Sequence, residues 1–90
     1  MEIRTLNYFL VIICEESISK AAQVLHITQP TLSRQMIRLE KNLGVTLFVR
    51  GKTRITLTAE GVILRKRAHE IIDLVNMTVA ELSPDNSVKL

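Results

Sequence analysis

Ninety residues, 47% of them apolar and 3% aromatic, make one small domain whose modest core must be aliphatic. Leu, Ile, Val and Ala dominate, which favours packed helices over a twisted sheet, and the single cysteine, Cys14, excludes an intramolecular disulfide framework and fits a reducing interior. The net charge of +3 is unevenly spread: the chain through Thr58 carries eight basic and four acidic residues, and six of those eight fall between positions 34 and 54. That density points to a polyanionic partner, against the plainer reading of a solvated face.

Leu6, Phe9, Leu10 and Ile13 have helical spacing and predict a first helix from residue 3 to about 15. Its apolar run from Tyr8 to Cys14 follows Arg4, loosely as in a signal peptide. Glu15 and Glu16 come next, however, where a cleavage site would need small residues, and the run is too short to span a bilayer. It reads as a buried helix of a cytoplasmic protein with no membrane partner. Ser17 or Ser19 caps a short second helix, Lys20 to about His26, on which Ala21, Ala22 and Leu25 form a small-residue face. Ile27 and Thr28 turn the chain into a third helix capped by Thr28 or Gln29. Pro30 falls in its first turn, where the missing N–H costs nothing. Leu32, Met36, Leu39 and Leu43 make the apolar stripe of this helix, and Gly44 is its natural stop.

Two β-prone runs, Leu47 to Arg50 and Arg54 to Leu57, flank Gly51-Lys52-Thr53 and predict a small hairpin. Thr58 then caps a long last helix, with Glu60 in its first turn favourable to the helix dipole. Leu64, Ala68, Ile71, Val75, Thr78 and Leu82 alternate at spacings of four and three, a heptad-like stripe suited to dimerisation. The chain thus divides into a unit of three helices and a hairpin at 1–58, a long helix at 59–82 and a flexible tail at 83–90.

On a helical wheel of about 100° per residue, Pro30, Thr31, Ser33, Arg34, Arg38 and Lys41 lie away from the apolar stripe of the third helix. A short helix, a tight turn and a second helix with a polar, basic front is the arrangement of a helix-turn-helix, which inserts the start of its second helix into the DNA major groove. Arginine suits the two acceptors of guanine, glutamine suits adenine, and hydroxyls reach bases or phosphates. Arg50, Lys52 and Arg54 cluster on the hairpin, where long side chains reach the backbone or the minor groove. The competing reading is a helical protein-interaction or dimerisation module without DNA-binding activity.

The run from Ser17 to Gly61 resembles the N-terminal winged helix-turn-helix domain of LysR-type transcriptional regulators. The likeness lies in Lys20-Ala21-Ala22, in Thr28 to Gln35, in Arg38-Leu39-Glu40 and in Leu43-Gly44-Val45. It continues through Leu47-Phe48 with Arg50 and Leu57-Thr58 with Gly61. The resemblance covers most of residues 1–65. It implies a bacterial DNA-binding domain whose third helix reads the major groove through Gln29, Pro30, Thr31, Ser33 and Arg34, with Arg50 and Arg54 acting from the wing. It implies also that the last helix pairs two subunits on a partly palindromic operator. The family's full-length regulators carry a large C-terminal effector-binding domain, so these 90 residues read as an excised DNA-binding fragment, with a short natural protein as the alternative. A small-molecule effector would act only through that further domain. Ile37 departs from the polar or basic residue common in the family, so a backbone contact is not carried over to that position.

Other residues have plainer readings. Cys14, among apolar neighbours, is expected to be a buried structural thiol, because a redox sensor needs an exposed, electropositive setting. His26 and His69 lie far apart without cysteine or carboxylate at ligand spacing, so no metal is expected, and His26 is read as packing at the turn. No nucleophile–base pair, paired carboxylates or glycine-rich phosphate loop appears, so neither catalysis nor a cofactor is expected. Met36 and Met77 read as core or interface filler, and Arg65-Lys66-Arg67, followed by Glu70 and Asp73, as a solvated face.

Overall fold

Three helices, a short hairpin and a long helix follow one another in the computed structural model, which describes residues 1–51 and 54–84. They are α1 (Ile3–Glu15), α2 (Ile18–Leu25), α3 (Gln29–Leu43), β1 (Phe48–Arg50), β2 (Ile55–Leu57) and α4 (Ala59–Leu82). The strands pair antiparallel, Phe48 opposite Leu57 and Arg50 opposite Ile55, and complete a winged helix-turn-helix. Lys52 and residues 85–90 of the expected tail lie outside the described residues.

Local chemistry sets the helix ends. The Ser17 hydroxyl accepts from the Lys20 amide at 3.2 Å, so α2 begins at Ile18 and not at Lys20. Thr28 caps α3 by accepting from the Thr31 amide, with Pro30 in the first turn. At the other end Gly44, at φ 71°, returns its N–H to the carbonyls of Glu40 and Lys41 and stops the helix. Thr58 joins two elements: its hydroxyl accepts from the Gly61 amide and donates to the Thr46 carbonyl at 2.6 Å.

The core gathers around α1, which packs on α2, α3 and α4. Leu6, Phe9 and Ile12 meet Ala21, Leu32, Met36, Leu47, Phe48, Leu64 and Ala68 there. The buried stripe of α1 therefore runs through Ile12, while Leu10 and Ile13 are half-buried. Cys14 is exposed, contrary to the sequence expectation. Five residues beyond Phe9, it is rotated by about 140° from the buried direction, and apolar sequence neighbours do not alter that phase. His26 is likewise exposed: it ends α2 in the left-handed conformation at φ 58°, which turns its side chain away from the core. Leu43 emerges at the end of the α3 stripe, and Met77 is exposed on α4.

At about 1.5 Å per residue, the 24 residues of α4 run to roughly 36 Å. Its first turns pack on α1 and β2, and its second half projects beyond them, giving a molecule 52 Å long and 20–26 Å across. Among the described residues no helix is long and apolar enough to cross a membrane.

Gly61 lies where α4 crosses the segment before the wing. A Cβ there would collide with the Leu47 carbonyl oxygen, a backbone atom held by the Thr58 amide. Gly61→Ala should cost about 1–3 kcal/mol through overpacking, read as a lower midpoint in urea denaturation.

Candidate nucleic-acid interface

The start of α3 is a connected polar surface. Thr28 Oγ1, besides capping the helix, donates to Thr31 Oγ1 at 2.7 Å, and Arg34 Nη2 donates to the same Thr31 oxygen at 3.4 Å. Because that oxygen accepts twice, the Thr31 hydroxyl proton is left to point outward as a donor. Ser19 on α2 donates to Gln29 Oε1 at 3.0 Å, orienting the carboxamide so that its N–H groups remain available. Pro30, Arg34 and Lys41 are exposed on the side opposite Leu32, Met36 and Leu39, flanked by the exposed Arg38 and the half-buried Ser33.

The wing is fastened to this helix by a carboxylate. Glu40 Oε2 accepts from the amides of Leu47, at 2.7 Å, and Phe48, at 3.4 Å. The Phe48 ring packs on Phe9 of α1, centroids 5.3 Å apart at a tilt of 48°. Arg50 at the end of β1 is exposed. Arg54 is exposed as well, but its Nη1 lies 3.4 Å from Glu16 Oε2, a pairing between residues 38 positions apart. An exposed pair of this kind is worth about 0–1 kcal/mol, so a phosphate can draw Arg54 away. Glu16, Ser17, Ser19, Gln29, Arg50 and Arg54 line one surface depression, which joins the wing to the starts of α2 and α3.

On α4 the six-residue stripe divides. Leu64 and Ala68 belong to the chain's own core and Ile71 is half-buried, whereas Val75, Thr78 and Leu82 are exposed. Arg67 donates to Glu70 at 2.7 Å, and that bonded guanidinium holds the Glu70 carboxylate below its ordinary pKa. The solvated face expected around Arg65-Lys66-Arg67 is exposed, with Arg67 paired to Glu70.

Residues 3–62, two thirds of the chain, match the model of the bacterial regulatory helix-turn-helix proteins of the lysR family. The chain belongs to the LysR family. Among the curated relatives of this LysR-family domain, the HTH-type transcriptional regulator BsdA of Bacillus subtilis (strain 168) is 48% identical over 83 residues. That alignment takes in 91% of this chain and 29% of BsdA, so the chain spans under a third of its relative. A solved complex of the BenM DNA-binding domain with catB site 1 DNA superposes with a TM-score of 0.85 at 40% identity, covering 89% of both chains. A CbnR DNA-binding domain–DNA complex gives 0.83 at 38% identity, covering 87% of this chain and 90% of that one. The LysR family consists of transcription regulators, not enzymes.

Sequence reasoning missed three residues that hold the LysR-family surface in place: Ser19 as the partner of Gln29, Glu16 as that of Arg54, and Glu40 as the anchor of the wing. Only Glu40 left a signal, a carboxylate within a polar helix face just before the stop at Gly44. Glu40→Ala should cost about 1–3 kcal/mol by stranding two amides, a loss measurable by thermal denaturation. Glu40→Gln, which retains an acceptor oxygen, should lose less.

Proposed function

We propose that this domain binds double-stranded DNA sequence-specifically, as a homodimer on a partly palindromic operator, and regulates transcription in the bacterial cytoplasm. The observation that carries the reading is the hydroxyl–guanidinium surface of Thr28, Thr31 and Arg34 at the start of α3, set beside Gln29 and the exposed Arg50 of the wing. Gln29, Pro30, Ser33 and Arg34 meet base edges or the adjoining backbone. Thr31 lies on the same groove-facing surface, Thr28 and Arg38 reach the adjoining backbone, and Arg50, Lys52 and Arg54 act from the wing on the backbone or the minor groove. Residues 1–58 form the DNA-binding unit and 59–82 the linker helix. A small-molecule effector acts, on this reading, through a C-terminal domain outside these 90 residues. The DNA complexes of the BenM and CbnR domains support the DNA partner.

Dimerisation rests on the exposed second half of the α4 stripe, Val75, Thr78 and Leu82, flanked by Leu74 and Val79, which are also exposed. These residues continue the line of Leu64 and Ala68 past the point where α1 covers it. A twofold pair of domains would be mirrored in two operator half-sites.

Titrating a selected duplex by fluorescence anisotropy at two salt concentrations tests the DNA reading. Arg34→Ala should lose about 1–3 kcal/mol and its preference at one base position. Arg50→Ala should instead weaken all sequences alike and reduce the salt slope by about 0.9, since one phosphate contact releases one counterion whatever the sequence. Binding that ignores salt in the wild type would show a protein-interaction module instead. In sedimentation, the wild type should run as a dimer and Val75→Asp as a monomer; equal masses would assign the stripe to another role.

A further inference from the structure

Ile37 is the one strongly exposed aliphatic side chain on the described face of α3 that carries Pro30, Ser33, Arg34 and Lys41, with 53% of its surface open. It lies one turn beyond Ser33 and Arg34 and about 10 Å along the helix from Pro30. Isolated exposed aliphatics are ordinary on protein surfaces. This one stands at the centre of a polar face, opposite Leu39, in the register 30, 33, 34, 37. A recognition helix lying in the major groove reads bases at that same spacing of i, i+3, i+4 and i+7.

The chemistry of the side chain narrows what it meets. Ile has no donor, so it cannot hold a phosphate, and placing it against one would desolvate the anion without compensation. The apolar group that the major groove offers is the C5-methyl of thymine. A β-branched side chain in a helix is already confined to one preferred rotamer, so little freedom is lost when it docks.

Resting on the DNA-binding reading above, we propose that Ile37 is a specificity-determining residue that packs on a thymine methyl, selecting one thymine in each half-site. The contact is an apolar one, made to a base and not to a phosphate. It therefore sets sequence preference without adding to the salt dependence.

The test begins with duplexes selected from a random pool by the wild-type domain. Each thymine is then replaced in turn by deoxyuridine, which removes the C5-methyl and leaves base pairing intact. At one thymine per half-site the wild type should weaken by about fourfold, the worth of one buried methyl group. Ile37→Ala should be indifferent to the same replacement, while keeping the wild-type melting temperature and salt slope. A fresh selection with Ile37→Asn should change the preferred base at that pair and leave the others. Enrichment with identical deoxyuridine profiles for wild type and Ile37→Ala overturns this inference alone. A pool that shows no enrichment overturns the DNA-binding reading and the inference with it.

Discussion

The wing and α4 take their place relative to the recognition helix from one carboxylate. Glu40, in the last turns of α3, accepts from the amides of Leu47 and Phe48 and so fixes where the chain leaves the helix. Hydrogen bonds to a charged acceptor are worth more than neutral ones, and this one is half-buried, where water competes poorly. From that point Phe48 drops onto Phe9, and the Leu47 carbonyl is held by the Thr58 amide. The Thr58 hydroxyl then starts α4 while bonding back to Thr46. Thr46, Leu47, Phe48 and Thr58 thus carry the orientation of α3 into both the hairpin and the long helix.

This junction explains why a small aliphatic core suffices. Phe9 and Phe48 supply the buried aromatic bulk and meet between α1 and β1, with the half-buried Tyr8 packed against the same core. The remaining core is Leu, Ile, Ala and Met drawn from every helix, with α1 at its centre. Polar side chains are then free to serve the surface. Ser19 orients Gln29, and Thr28 and Thr31 present Arg34, so the α3 face is organised before any ligand arrives. Such pre-ordering lowers the entropy lost when these side chains dock.

The exposed half of α4 presents the opposite case. Its apolar residues lie along a line that begins inside the domain and leaves it, so the same periodicity serves two purposes in succession. Leu64 and Ala68 are taken up by α1, and only beyond Ile72 is the stripe available to a partner.

Much of the architecture was legible in the residues because it depends on local chemistry. Pro30 behind a threonine cap, Gly44 as a stop, Thr58 before Ala59-Glu60 and the paired β-prone runs each specify an element without reference to distant parts of the chain. The order of motifs carried the family. Phase and long-range pairing were not legible. An apolar run does not say which of its residues faces inward, so Cys14 was expected inside and is exposed. A heptad stripe does not say how far the parent domain covers it. Nor does a basic residue reveal that a glutamate 38 positions away has claimed it, as Glu16 does Arg54. Elements, caps and family follow from the sequence by itself, since neighbouring residues determine them. Burial, the anchoring of the wing and the division of α4 were decided only by tertiary structure, because each depends on groups that folding alone brings together.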